Sequence, residues 1–319
     1  MRVLFMGTSE FAIPALKELI AHHFEIVAVV TQPDRPSGRG KKLTPPPVKL
    51  IAAEYNLKVF QPEKVRSPEF VGTLKQLAPD VIIVAAFGQL LPQTVLDIPP
   101  CGVINLHPSL LPKYRGAAPI QWALINGEKE TGVTLMLLDA GEDTGDIICR
   151  EQIPIELEDT AEKLHHELAI IGARLLVKVL GNLPHGQPPV ATAQNHAEAT
   201  HAPRLTKTVG HINWNEPATT IHNLIRGTTG WPGAYSFFRD GTLLKIIRAL
   251  PHEDTHEVKQ KIPNELPGTI KITSERQMFV VTGKGELQLL QVQPATKKVM
   301  EVYDFVNGYQ IKSGESLST

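Results

Sequence analysis

Apolar runs and amphipathic stretches alternate along the first half of the chain. Val3-Leu-Phe-Met6 reads as a buried strand, the stretch through Leu19 as a helix that Thr8 or Ser9 would cap, and His23–Thr31 as the next strand. Strand, helix and strand at this spacing predict a parallel, right-handed βαβ unit. The alternation continues with a helix over 48–55, a short strand over 58–60, a helix over 68–77 and the apolar strand Asp80–Ala86. Strand Gly102–His107, helix 118–126, strands 131–138 and 146–154, and a long amphipathic helix over 160–180, capped by Asp159 or Thr160, complete this half.

Residues 181–208 are rich in Pro, Gly, Ala, Thr and His and show no sustained period, so they read as a linker. Beyond it, after a helix near 219–226 and the stretch Trp231–Phe238, the pattern changes to short strands at 243–249, 268–272, 278–282 and 287–292. Turns at Arg239-Asp-Gly241 and Gly283-Lys-Gly285 separate some of them, the spacing of a small barrel of the oligonucleotide-binding type. The reading is therefore α/β: a Rossmann-like, mostly parallel sheet domain over 1–189, a linker over 190–207 and a smaller OB-like β-barrel over 208–319.

Composition narrows the class without changing this picture. The formal net charge of −1 argues against a generally basic nucleic-acid binder, so any such contact needs local basic patches. No apolar run approaches the roughly 20 residues that span a bilayer. The N-terminus lacks the apolar region of a signal peptide, and Cys101 and Cys149 are too few for a disulfide framework. A cytosolic protein with no membrane contact is expected.

Candidate chemistry gathers at the end of the strand over 102–107. Asn105 and His107 are two apart, so both side chains face one side of the sheet just before Pro108 ends the strand. In open α/β sheets ligands collect at the carboxyl ends of strands. The Asp139–Asp146 stretch, the exit loop of the strand over 131–138, brings carboxylates near. Asn, His and Asp without Ser, Cys or metal ligands make a poor hydrolase but suit a transfer in which the substrate brings the nucleophile. The Asn amide can donate to an oxyanion, the His can bind that oxygen or move protons, and an Asp can hold the imidazole and help deprotonate an attacking amine.

Other motifs are weaker alone. Gly7 has no G-x-G-x-x-G companions, so a dinucleotide site is not expected there. His165-His166-Glu167 lacks the second His of a metal motif and reads as helix surface, so no metal is expected. The loop over 32–47, carrying Arg35, Arg39, Lys41 and Lys42 on glycine-rich backbone, reads either as a solvated linker or as a phosphate contact. The loop Phe87-Gly88-Gln89-Leu90-Leu91 reads either as core packing or as the wall of a flat apolar pocket.

Asn105-Leu-His107-Pro-Ser-Leu-Leu-Pro112-Lys-Tyr-Arg115-Gly116, with Glu142-Asp143-Thr-Gly145, resembles the signature of 10-formyltetrahydrofolate-dependent formyltransferases. Gly7-Thr-Ser-Glu-Phe-Ala12, Thr31-Gln-Pro-Asp-Arg-Pro36, Gly38–Lys42, Arg115–Gln121, Ile212-Asn-Trp214 and Pro294–Met300 extend the likeness over essentially the whole chain, toward the branch that formylates initiator methionyl-tRNA. Arg204 and Asn213 stand where that branch is expected to carry Lys and Asp. The resemblance implies catalysis by Asn105, His107 and Asp143. It implies folate contacts at Phe87, Gly88, Gln89, Leu90 and Leu91, at Ser109, Leu110, Leu111 and Pro112, and at Leu138, Asp139 and Glu142. It implies tRNA contacts at Arg35, Arg39, Lys41, Lys42, Arg204, Lys207, Lys297 and Lys298, with 10-formyltetrahydrofolate as donor and a monomer as the working form. A formyltransferase for a small amine, such as glycinamide ribonucleotide or an amino sugar nucleotide, would share the trio but need neither basic loop nor barrel. A non-catalytic nucleic-acid binder would leave the trio without purpose.

Overall fold

The computed structural model describes residues 1–37, 42–183, 186–239, 241–252 and 265–318. Contacts divide the chain into two units: Met1–Pro119 with Glu130–Pro154 and His165–Pro203, and Ile120–Lys129 with Ile155–Leu164 and Arg204–Thr319.

In the first unit β1 (Arg2–Gly7), past Arg2, and β6 (Val81–Ala85) are apolar because both faces of a parallel sheet are covered. Between them run α1 (Ile13–Ala21), β2 (Glu25–Val30), β3 (Arg35–Ser37), β4 (Lys42–Thr44), α2 (Pro47–Glu54), β5 (Val59–Phe60) and α3 (Pro68–Leu77). After β6 come α4 (Gln93–Leu96), β7 (Val103–His107), α5 (Pro119–Ile125), β8 (Glu130–Leu137), β9 (Ile147–Pro154) and α6 (Ala161–Gly181), of which α5 beyond Pro119 and α6 as far as Leu164 belong to the second unit. Among the described residues seven strands pair in the order β5-β2-β1-β6-β7-β8-β9. The first five are parallel, whereas β8 runs antiparallel to both β7 and β9.

Local signals placed most ends. Ser67 accepts from the Phe70 N–H ahead of Pro68, an N-cap with proline at the first helical position. Thr160 accepts from the Lys163 N–H at the start of α6. At the first helix the expected cap is absent: the Thr8 hydroxyl donates instead to the Phe87 carbonyl (2.8 Å), and a 3-10 turn, Glu10–Ala12, precedes α1. The stretch over 32–47 contains a short hairpin, since β3 and β4 pair antiparallel.

The second unit contains α7 (Ala218–Gly227), β10 (Ala234–Phe238), β11 (Thr242–His252), β12 (Ile270–Ile272), β13 (Met278–Val281), β14 (Glu286–Pro294), β15 (Met300–Glu301), α8 (Val302–Tyr309) and β16 (Leu317–Ser318). Among the described residues the order is β12-β13-β14-β11-β10-β16, with β15 on β14. A bridge between Thr269 and Ser316 ties the two ends of this sheet, curling it toward a barrel. In β10 buried and half-buried positions alternate, the period of a sheet with one face on a core. That core holds Trp214, Ile221, Ile225, Phe238, Ile246, Val292 and Phe305. Trp214, read only as a motif, is 1% exposed, and its indole N–H donates to Ser236 Oγ (3.0 Å), which donates onward to the Ser318 carbonyl. No described helix is long and apolar enough to cross a membrane.

Candidate active site

Asn105 and His107 leave β7 on one face, held by β6 on one side and β8 on the other, where His107 stands opposite Thr134. Both are buried, at 9% and 4% exposure. The exit loop of β8 reaches them by a route the sequence does not show. Because β8 is antiparallel to β7, it ends beside Val103, whose carbonyl accepts from the Leu138 N–H (2.8 Å). To approach His107 the loop must travel back along β7, four residues or about 13 Å at the rise of a strand. It does so tightly: the Leu137 N–H donates to the Asp146 carbonyl (2.9 Å), and a Cβ on Gly145 would overlap the Leu137 carbonyl oxygen. Asp139 closes the turn by accepting from the Gly141 N–H and the Thr144 hydroxyl. Asp143 sits at φ +54°, a left-handed conformation that Asp tolerates better than most residues.

The result is a convergence. Asp143 Oδ2 lies 3.5 Å from His107 Nδ1 and accepts from the Gly116 N–H (2.9 Å), while Oδ1 lies 3.5 Å from Asn105 Nδ2. The other ring nitrogen, Nε2, is 2.9 Å from the Tyr114 carbonyl. A carbonyl can only accept, so Nε2 carries a hydrogen, and Nδ1 is the atom that faces the carboxylate. With both ring nitrogens engaged, the Asn105 amide is the group left with an N–H to offer a substrate oxygen.

Hydrogen bonds from distant strands shape the loop after His107. Thr134 Oγ1 accepts from the Leu111 N–H (3.1 Å) and donates to the Ser109 carbonyl (2.7 Å). Ser109 Oγ donates to the Lys113 carbonyl, and Arg150 to that of Leu111. The Leu111–Pro112 bond is cis, and Tyr114 takes φ +61° with its N–H on Thr200 Oγ1. These supports, together with Arg115 (5% exposed) and Gln194, have no local sequence signature.

The expected folate positions divide. Phe87 and Leu91 turn into the core beside Leu4, Met6 and Val84, and Gln89 is tied to the Val65 N–H and the Pro62 carbonyl. Leu138 packs on the same core next to Val103. Leu90, by contrast, is 76% exposed, Gly88 and Glu142 are exposed, and Leu110 is half-buried. Leu90 follows β6 and Leu110 follows β7, which are neighbouring strands of the sheet.

The basic residues also divide. Arg35 and Lys42 are exposed on the β3–β4 hairpin, and Arg39 and Lys41 lie outside the described residues. The hairpin's base is anchored: Asp34 accepts from Gln61 (2.7 Å) and from Lys49 (2.8 Å), and those contacts lower its pKa. In the second unit Arg204, Lys207, Lys297 and Lys298 are all exposed. Among the described residues no group of three or more His, Cys, Asp or Glu could hold a metal.

Comparison with known proteins shows the family. The family model for formyl transferases matches residues 1–180, and that for the formyl transferase C-terminal domain matches residues 204–310. The methionyl-tRNA formyltransferase of Acetivibrio thermocellus is 46% identical over 317 residues, 99% of each chain. That of Caldanaerobacter subterraneus is 47% identical over 318 residues, 99% of this chain and 100% of the relative. Among solved structures, an N-formyltransferase of Helicobacter canadensis, in complex with folinic acid and dTDP-3-aminofucose, superposes with TM-score 0.65 at 22% identity, covering 92% of this chain and 98% of that one. A methionyl-tRNA formyltransferase of Clostridium thermocellum gives 0.56 at 20% identity, over 78% and 93%. At those identities the superpositions speak for the fold alone.

Proposed function

The chain belongs to the formyl transferase family, and from that premise we propose that it moves the formyl group of 10-formyltetrahydrofolate to the α-amine of initiator methionyl-tRNA. The observation that carries the chemistry is the meeting of an amide, an imidazole and a carboxylate, both partners 3.5 Å from Asp143. Full-length relatives named for methionyl-tRNA support the choice of acceptor.

The folate supplies an activated one-carbon unit and leaves with a proton on its nitrogen. The protein therefore contributes position and electrostatics rather than a covalent bond. As the amine nitrogen bonds to the formyl carbon and the carbon–folate nitrogen bond breaks, negative charge develops on the formyl oxygen. Asn105 donates its amide hydrogen to that oxygen. Asp143 takes the proton the amine loses, His107 shares it across Nδ1 and Oδ2, with Nε2 fixed on the Tyr114 carbonyl, and the same proton then passes to the departing folate nitrogen. The sequence leaves both oxyanion binding and proton movement open for His107; the engagement of both ring nitrogens favours proton sharing for it.

Leu90 and Leu110 would lie against the folate ring, and backbone of the loops over 108–112 and 138–142 would meet its polar edge. Arg35, Arg39, Lys41 and Lys42 would contact phosphates of the acceptor stem, and Arg204, Lys207, Lys297 and Lys298 would add further phosphate contacts. The working form is a cytosolic monomer. The test is to incubate the full chain with 10-formyltetrahydrofolate and either methionyl-tRNA or small amines. Formylmethionyl-tRNA is the expected product; formylation of small amines alone overturns the acceptor, and no formyl transfer overturns the reading.

A further inference from the structure

We propose that Gln194 is a positioning residue for Asp143: its carboxamide clamps the backbone that sets the carboxylate against His107. The inference rests on the reading of Asp143 as the group that receives the amine proton.

The need for a clamp follows from the path of the loop. Asp143 is carried back along β7 on a stretch outside any strand ladder, in a left-handed conformation. Gln194, 5% exposed, gives one amide hydrogen to the Asp143 carbonyl (2.9 Å) and the other to the Gly145 carbonyl (2.7 Å). Its oxygen accepts from Arg115 Nε (3.2 Å) and Nη2 (2.7 Å). A guanidinium only donates, so the atom facing Arg115 must be the amide oxygen, and the nitrogen must face the two carbonyls. Arg115 thus fixes which way the amide points, and Nη2 is held in turn by His196 Nδ1 (3.1 Å).

The segment that carries Gln194 is itself bound to both active-site loops. Thr192 exchanges two backbone hydrogen bonds with Ile147 (2.8 and 2.9 Å). The Thr200 carbonyl accepts from the Arg115 N–H (2.9 Å), and Ala202 bonds to Arg115 and Ala118 (2.7 and 3.1 Å). Gly116, whose N–H holds the Asp143 carboxylate, runs at φ +113° so close to the Ala202 carbonyl that a side chain would be crowded. Residues 192–202, read as linker from composition, act as a strap across the site.

Gln194→Glu separates positioning from folding. The new carboxylate keeps Arg115 as an ion pair but turns an oxygen, not a donor, toward the two carbonyls. We expect kcat to fall about 10–100-fold, the scale of a misplacement of roughly 1 Å, with KM for donor and acceptor within twofold and a lower melting temperature, since two carbonyls lose their donor, that still leaves the protein folded at the assay temperature. In an Asp143→Asn background the same change should cost less than a further twofold, since the group it positions is already gone. A silent Gln194→Glu, a loss wholly in KM, or a full independent loss in the Asp143→Asn background overturns the assignment. If Asp143→Asn itself turns over like the parent enzyme, the catalytic reading falls and takes this one with it. Should Gln194→Glu give no folded protein, Gln194→Met, close in shape and without donors, decides by the same rates.

Discussion

Thr134→Val exchanges a hydroxyl for a methyl at a fully buried point of β8. The side chains are near-isosteric and both branched at Cβ, so neither a cavity nor a lost strand preference enters the result. What goes is one atom serving two partners: the Leu111 N–H loses its acceptor and the Ser109 carbonyl its donor, both within buried residues. An unsatisfied buried backbone group costs about 1–3 kcal/mol. Together they predict a loss of about 2–6 kcal/mol, or on the order of 4–24 °C in melting temperature for a unit of this size. The same loop delivers the Tyr114 carbonyl that fixes His107, so turnover should fall as well, by about tenfold or more for a displacement approaching 1 Å. Calorimetry and initial rates on Thr134→Val and Thr134→Ser decide it. The serine variant, which keeps the hydroxyl, should recover most of both. A valine variant that melts and turns over with the parent protein would show that the loop does not depend on this bridge, and the account of how His107 is held would fail.

Asn105→Ala should cost about 3 kcal/mol of transition-state stabilisation, roughly 10²–10³-fold in kcat, the scale of one oxyanion donor; single-turnover formylation checks it, and an unaltered rate refutes the role. Replacing Arg35 and Lys42 by Gln should weaken methionyl-tRNA use and flatten its dependence on salt, each lost phosphate contact lowering the log–log slope by about 0.7–0.9; KM measured across a salt series is the readout. Burial, and then the neighbouring Arg226, push His222 down to about 4. Between pH 6.5 and 4 the unfolded chain therefore binds the proton that the folded one refuses, so stability falls as pH drops through that window, by about 3 kcal/mol in all. Urea unfolding followed by tryptophan fluorescence at stepped pH should show this slope in the second unit and its loss in His222→Gln.

Buried parallel strands announce themselves as apolar runs, so β1 and β6 were legible, as was β7, apolar but for Asn105 and His107, and with it the face those two share. Direction was not. The run Val133-Thr-Leu-Met-Leu137 carries no mark of whether it lies parallel or antiparallel to its neighbour, and hence none of how Asp143 returns to His107. The β3–β4 hairpin escaped notice because each strand is three residues long and one contains Pro36. Gln194 was invisible for a different reason. Its bonds run to carbonyls 49 and 51 positions earlier, and a segment without periodicity looks the same whether it is solvated or strapped to a site.

The trio combines a rigid half with an adjustable one. Asn105 and His107 sit on a strand laddered on both sides, so their positions are set by the sheet. Asp143 depends instead on the Gly116 N–H and on the Gln194 clamp behind it. Its two separations, 3.5 Å to His107 and 3.5 Å to Asn105, both exceed the roughly 2.7–2.9 Å of a strong charge-assisted bond. Bringing either one to that distance takes a movement of about 0.7 Å. The carboxylate can turn that far about its own side-chain bonds when substrate enters, and catalytic hydrogen bonds often tighten only in the bound complex. The division of labour between sheet and strap therefore fixes the backbone on both sides of the site and leaves the final adjustment to one side chain.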